Sequence, residues 1–269
     1  MKNALFAEIR RAMNLLWIPA VLGVGFSICF DSWNDFLRSL STGIGSVQYF
    51  FENSSFGGAC RSYFLPVFTA LPFAASFCRE YRDKAFPLIV YREGRKNYCL
   101  VKFFVNALCG GMTAALGTGL LFLLLAWRLP VADPRYMENA GVYQRLVSDS
   151  EPFHLWIAVH EPVLYFFVET ASGFFRGVFW SSAALCVSVC FPDPFVTFLS
   201  PYLGSFLLIQ AFRLLRLPPS FRLDFLIKGR MILRSSLWTL GICALAVAAA
   251  SWIMWFFFSR QVYRRIREG

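Results

Sequence analysis

Long apolar runs alternate with charged or turn-rich segments along the chain. Each run holds about 18 or more residues with almost no charge, which is the length that a helix needs to cross about 30 Å of hydrocarbon. The pattern predicts an all-α integral membrane protein, organised as one transmembrane domain over residues 1–269 with six transmembrane helices. The predicted spans are 13–30, 59–78, 100–127, 173–191, 195–212 and 232–258.

The amino-acid composition supports a membrane location. Hydrophobic residues make up 57% of the 269 residues, there are 31 Phe, and charged residues reach only 16%. Soluble domains carry about 25% charged residues. A soluble fold of this size has too small an interior to bury so many large apolar side chains.

Basic residues beside the spans set the predicted orientation. The net charge is +10, and Lys and Arg next to spans are typical of cytoplasmic segments and of contact with anionic lipid headgroups. A basic start and a basic tail place both termini in the cytoplasm, which requires an even number of spans. Six spans then leave the basic interval 213–234 outside, against the charge bias. No stacking-aromatic or zinc-spacing pattern points to nucleic acid as a partner.

The segments between the spans are predicted from their polar and aromatic residues. Residues 4–12 suit an amphipathic N-terminal helix lying in the interface. Residues 31–57 are predicted to be a polar outer loop. Residues 128–161 form a second outer segment that leads into an aromatic interfacial helix over 154–167. Residues 192–194, with the sequence Pro-Asp-Pro, predict a tight inner turn.

Two features inside the spans carry more than one interpretation. Gly111, Ala115 and Gly119 recur every four residues and form a stripe that suits close helix packing, either within one subunit or at a dimer seam. Glu169 and Arg176 share a helix face but lie about two turns apart, too far to assume a direct pair. Either Arg176 extends to the outer interface, or the two residues mark a substrate pathway.

Eight cysteines are scattered through the chain, and none forms a CxxC pair. A structural zinc site is therefore not expected. Cys29 and Cys60 both fall near the predicted outer surface, where they either form a disulfide or remain buried free thiols.

Motifs for catalysis are missing from the sequence. It has no GxxxxGK[ST] phosphate loop, no GxSxG elbow and no HExxH pair, so we expect no ATPase or other enzyme activity from this chain alone. Carboxylates are sparse within the predicted spans, which argues against an ion-coupled carrier.

The densely charged interval between the second and third spans, residues 77–104, is here named the platform. It mixes both signs of charge, although acidic residues influence membrane orientation little. From Arg79 to Tyr91 it combines charged residues with apolar ones such as Phe86 and Val90. This mixture favours a helix or turn, within the cytoplasmic loop 79–99, that lies half in lipid and half against a partner protein, over a merely solvated loop.

The platform resembles a loop of a known family. Six of its residues, in order and leading into a span, resemble the loop between the second and third spans in permease subunits of ABC-type-2 exporters: Phe77, Glu80, Arg92, Gly94, Tyr98 and Lys102. The run SVCFPDPFVTFLSPYL, residues 188–203, is similar to the turn between the fourth and fifth spans of that family.

The resemblance implies a half-transporter that pairs with a second copy or a sister permease in a bacterial cell membrane. It implies that cytosolic ABC ATPase subunits bind the chain through a cytoplasmic coupling helix, drawn from Arg79 to Tyr91. These subunits would hold the ATP and magnesium, so that no cofactor is expected on the chain itself. An amphipathic, peptide or lipid-like substrate would be exported. The alternative is a non-transporting immunity, sensor or scaffold subunit. The residues implied in ATPase coupling are Arg79, Glu80, Tyr81, Arg82, Asp83, Phe86, Arg92, Arg95, Tyr98 and Lys102.

Overall fold

The computed structural model describes residues 2–56, 58–133, 154–216, 222, 225–226 and 233–268. All regular secondary structure in these residues is helical, which confirms the predicted all-α class. A short 3-10 turn, Phe30–Ser32, joins the second helix to the third. The α-helices are α1 (Lys2–Ala12), α2 (Trp17–Cys29), α3 (Trp33–Thr42), α4 (Val47–Phe56), α5 (Ala59–Ala70), α6 (Ser76–Arg82), α7 (Phe86–Glu93), α8 (Arg95–Ala126), α9 (Leu155–His160), α10 (Pro162–Cys190), α11 (Pro194–Leu214) and α12 (Ser236–Glu268).

Four of these helices, α8, α10, α11 and α12, are long and apolar enough to cross a membrane. A fifth candidate span is a bent pair, in which Leu5–Ala12 and Trp17–Thr42 meet at an angle of 62°. The described part of the chain therefore contains four or five candidate spans, which fits the predicted membrane protein.

The second predicted span, 59–78, is divided in the structure. Helix α5 passes through Pro66, and a turn over 71–75 separates it from α6. Pro72 has no backbone N–H and so cannot form the next helical hydrogen bond, which accounts for the break. The side-chain amide of Asn14 donates a hydrogen bond of 2.8 Å to the Pro72 carbonyl, so the connection between α1 and α2 packs against this turn.

Helices α8 and α10 approach each other closely at glycine residues. A Cβ atom on Gly177 would overlap the backbone carbonyl of Gly110, and one on Gly111 would lie 2.6 Å from an aromatic ring of α10. Within the predicted small-residue stripe, Gly111 and Gly119 are buried and Ala115 is half-buried. At Gly111 the stripe therefore serves packing inside one chain.

The segment predicted as a polar loop, 31–57, is largely helical, because it contains α3 and α4. Phe36 and Phe50 are buried, and their rings meet edge to face with centroids 6.0 Å apart. These apolar residues give the two helices a common buried face. The loop prediction was wrong because it weighed Ser, Asn and Gly content above this apolar spacing.

The structure also has two helices where the sequence predicted one interfacial helix over 154–167. Helix α9 ends at His160, and Pro162 then opens α10, since proline fits the first turn of a helix. Helix α10 thus begins well before residue 173. The predicted outer residues 134–153 lie outside the described residues, as do 217–221, 223–224 and 227–232 of the predicted outer interval 213–234.

Contacts between helices define the two ends of the helix bundle. At one end, the guanidinium of Arg265 in α12 donates to the Cys190 carbonyl at 2.7 Å, and Lys102 in α8 lies 3.1 Å from Glu8 in α1. We call this the platform end. At the other end, α4 forms backbone hydrogen bonds with the chain just after α8. Helix α11 leaves the platform end and α12 returns to it, so the described flanks of 213–234 lie at the opposite end.

Candidate functional site

The platform folds as two short helices, α6 and α7, followed by the start of α8. The predicted coupling helix from Arg79 to Tyr91 is therefore not a single helix. Lys84, between the two helices, has a φ of 55°, which non-glycine residues rarely adopt and which interrupts helical geometry. Gly94 has a φ of 79° and separates α7 from α8. The platform is thus three helical pieces joined by two sharp turns.

Aromatic residues attach the inner face of the platform to the bundle. The ring of Phe86 lies 5.1 Å from that of Phe77 and 5.8 Å from that of Tyr98, both nearly edge to face. Phe258 and Val262 of α12 are buried in the same apolar cluster. Because all five side chains are buried, α6 and α7 are held against α8 and α12.

A buried ion cluster joins the platform to the N-terminal helix. The ammonium group of Lys102 lies 2.5 Å from a carboxylate oxygen of Glu80 and 3.1 Å from one of Glu8. The hydroxyl of Tyr98 donates to the second oxygen of Glu80 at 2.7 Å. Arg11 contacts both acids, at 2.7 Å for Glu8 and 3.1 Å for Glu80. Two cations thus balance two carboxylates, as buried charges require.

Burial makes this cluster sensitive to change. Lys102 is only 1% exposed, and its ammonium group also sits 5.1 Å from the centre of the Phe73 ring, where a cation is attracted to the π face. A cavity of about 320 Å³ lies beside the cluster, with Ser76 and Asp83 also on its border. The ions therefore link α1, α6 and α8 next to a space that the side chains do not fill.

Sequence reasoning singled out Glu80, Tyr98 and Lys102 but missed Glu8 and Arg11. Glu8 and Lys102 are 94 residues apart in sequence, so no local spacing connects them. The available signal was that Glu8 is the one acidic residue among the first twelve, in a segment whose other charged residues are all basic.

The ten predicted coupling residues divide into two groups. Those that hold the platform to the bundle are buried: Glu80, Phe86, Tyr98 and Lys102. Those that lie on its surface are exposed: Arg79, Tyr81, Arg82, Asp83, Arg92 and Arg95.

Two apolar residues of α7 also lie on the outer surface of the platform. Tyr91 is 92% exposed and Leu88 is 74% exposed. Within the described part of the chain, the surface charges beside them pair with sequence neighbours, Arg82 with Asp83 at 3.6 Å and Arg92 with Glu93 at 3.7 Å. The outer surface thus combines two large apolar side chains with charges of both signs, a composition that suits contact with another protein.

The tail of α12 contributes to the same end of the molecule. Arg265 donates to the carbonyl groups of Val189 and Cys190, at 3.3 Å and 2.7 Å. These are terminal carbonyls of α10, which have no partner within their own helix. The guanidinium also lies 5.5 Å from the centre of the Tyr81 ring. Arg265 therefore ties α10, α12 and the platform together.

A second buried charge group lies at the other end of the bundle. The guanidinium of Arg61 in α5 lies 3.5 Å from the carboxylate of Glu169 in α10. It also donates to the Phe51 carbonyl and the Ser54 hydroxyl, each at 2.8 Å. Arg176 is 3% exposed, so it is buried in the bundle and does not extend to the outer interface, which was one of the two interpretations of this residue. From the sequence, Arg61 falls at the start of the predicted span 59–78, where it counts only as a cation on the outer side, so its pair with Glu169 was missed.

The eight thiols are all free. Cys29 is buried and Cys60 is half-buried. Of the two alternatives for this pair, the structure therefore shows free thiols and not a disulfide.

Comparisons with other proteins give no further identification. No protein-family model, no curated protein and no solved structure matches the chain.

Proposed function

We propose that this chain is the transmembrane subunit of an ATP-driven exporter, and that the outer surface of the platform docks a cytosolic ATPase subunit. The observation that carries the proposal is the exposure of Leu88 and Tyr91 on a helix whose other face is firmly buried. Tyrosine is enriched among interface anchors, and Leu88 extends the exposed apolar surface beside Tyr91. The ATPase supplies ATP and magnesium, and this chain binds neither.

The proposed topology has six crossings, with the divided stretch 59–78 counted as one of them. Both termini and the platform face the cytoplasm of a bacterial cell. In support, α1, the platform and the tail of α12 share one end of the bundle through the contacts of Lys102 and Arg265. That end also carries the basic tail, in agreement with the usual positive charge of cytoplasmic segments.

The proposed mechanism transmits ATPase movement through the platform. Closure of the ATPase shifts α6 and α7, and the ions between Glu80, Lys102 and Glu8 pass this displacement to α1 and α8. The cavity beside the cluster gives the platform room to move. An ATPase drives such a shift only if it binds two platform positions with different affinities.

We also propose a substrate pathway through the bundle and a surface that contacts a second permease. Buried charges in a membrane protein are default candidates for a pathway, so Glu169 and Arg176, together with Arg61, are the proposed polar contacts of an amphipathic, peptide or lipid-like substrate. Helices α11 and α12 bury little of their apolar surface within the chain, which leaves room for lipid and for a second copy or a sister permease.

Complex formation tests the docking role. The full chain is purified with an ATPase subunit encoded beside its gene, and complex formation is compared between the wild type and the variants Leu88→Glu and Tyr91→Ala. Loss of an interface anchor is expected to weaken the complex by about tenfold or more. Glu80 is a poorer choice, because its removal also breaks the buried ion cluster.

The matched control is Ile44→Glu. Ile44 is 72% exposed, like Leu88, but lies in the connection between α3 and α4 at the opposite end. Unchanged complex formation in both platform variants would refute the docking role. Binding of a partner that lacks Walker motifs would favour the immunity, sensor or scaffold alternative.

A further inference from the structure

A basic groove lies at the platform end, between the start of α8 and the tail of α12. Its cavity of about 560 Å³ falls in the range of ligand-sized clefts, about 300–1,000 Å³. Arginine is the commonest residue type among the seven that line it, and none of the seven is acidic. The lining arginines come from both helices: Arg95, Arg260, Arg264 and Arg267.

The four arginines in the tail of α12, residues 260–267, contact different parts of the protein. Arg265 points to the bundle and donates to the last carbonyls of α10. The other three tail arginines line the groove on another side of the helix. The groove is therefore more than a run of basic residues in the sequence, because the fold directs three of the four into one cavity and adds Arg95 from a different helix.

The surface next to the groove is apolar. Phe257 lines the groove itself and is 41% exposed. Ile253, on the same side of α12 and one turn earlier, is 69% exposed. At a rise of 1.5 Å per residue, Ile253 lies about 10 Å along the axis from Arg260. One stripe of α12 thus changes from exposed apolar residues to arginines, as does the boundary between hydrocarbon and headgroups.

We propose that this groove binds the phosphate-bearing headgroup of an anionic phospholipid, whose acyl chains lie along the stripe formed by Ile253 and Phe257. Guanidinium groups bind phosphate oxygens in bidentate fashion, and basic pockets between membrane helices bind anionic headgroups in this way. A nucleic acid or a phosphorylated protein would leave the apolar part of the stripe unused. The proposal goes beyond the transport function and does not depend on an ATPase.

Lipid binding to the full chain in neutral detergent tests the assignment. Phosphatidylglycerol and phosphatidylcholine are titrated separately, and bound lipid is counted by native mass spectrometry. Phosphatidylglycerol is expected to bind more tightly. Arg95→Gln/Arg260→Gln is expected to weaken its binding by about 25-fold, since one basic residue near a membrane surface accounts for about fivefold. The single variant Arg260→Gln is expected to lose about fivefold and replaces the double variant if that does not fold.

Lys96→Gln is the matched control, because Lys96 is exposed beside Arg95 but does not line the groove. Its effect is expected to stay below about twofold, whereas diffuse attraction would make it equal to that of Arg95→Gln. Equal binding of the two lipids, unchanged binding in the groove variants, or an equal loss in the control would overturn the proposal. Displacement of the lipid by millimolar inorganic phosphate would assign the groove to free phosphate and would overturn the proposal that it binds a phospholipid.

Discussion

Replacing Lys102 by Met removes the central cation of the buried ion cluster while keeping a side chain of similar length. The side chains of Glu8 and Glu80 are only 5% and 9% exposed. After the substitution, Arg11 alone would face two buried carboxylates, and its side chain is 52% exposed. Leaving a buried charge without its partner costs about 3–5 kcal/mol. We therefore expect Lys102→Met to lower the free energy of unfolding by about that amount.

A double-mutant cycle separates the ion pair from general damage. Glu80→Gln removes the charge of one acid and keeps its shape. When both residues are replaced, the loss of Lys102 no longer leaves an unpaired charge on Glu80. The double variant is therefore expected to lose less stability than the sum of the losses in the two single variants. A coupling energy of about 1–3 kcal/mol is expected for residues in direct contact.

The assay is reversible unfolding of the full chain in mild detergent, followed by circular dichroism as denaturant is added. Arg82→Met is the control within the same platform, since the side chains of Arg82 and Asp83 are 72% and 63% exposed. An exposed pair contributes less than about 1 kcal/mol. If Lys102→Met and Arg82→Met had equal effects, or if the two changes in the cycle were additive, the reasoning about the cluster would be refuted.

Two further predictions concern helix packing and a surface tyrosine. Gly177→Ala places a Cβ against the Gly110 carbonyl and is expected to destabilise the same detergent-solubilised protein by about 1–3 kcal/mol; Gly241→Ala, with open space at that position, is expected to be neutral or slightly stabilising, and equal losses would contradict the packing. The pKa of Tyr49 is raised above 10, first by burial and then by Asp35, so any stability from the neutral phenol is present below pH 10 and lost as pH rises through the raised pKa. Asp35→Asn is expected to lower this pKa towards 10, measured by NMR of labelled tyrosine, and an unchanged titration would contradict the role of Asp35.

Much of the helical plan follows from the apolar runs. The predicted span 100–127 corresponds to α8, 195–212 to α11 and 232–258 to α12. The ends differ because helices continue beyond the apolar part. Helix α12, for example, runs on through the arginine-rich tail, since arginine is a good helix former. Hydrophobicity thus locates a candidate span better than it locates where the helix ends.

The candidate site was only partly predictable, because its decisive contacts join residues far apart in sequence. Arg61 and Glu169 are separated by 108 residues, and each alone looks like a boundary of an apolar run. Sequence spacing placed Glu80 and Lys102 in one charged interval but gave no indication that either is buried. The turn at Lys84 was also missed, because its left-handed backbone belongs to a residue type without a preference for that conformation.

The outer surface of α7 carries the central claim, that the platform couples the membrane domain to an ATPase. The most direct measurement is the ATP hydrolysis rate of the complex reconstituted in lipid vesicles, compared between the wild type, Leu88→Glu and the distant control Ile44→Glu. The account predicts that the membrane subunit stimulates ATP hydrolysis by the ATPase, and that Leu88→Glu weakens this stimulation by about tenfold when the ATPase is not saturating, while Ile44→Glu leaves it unchanged. Full stimulation with Leu88→Glu, or an equal loss in both variants, would contradict it.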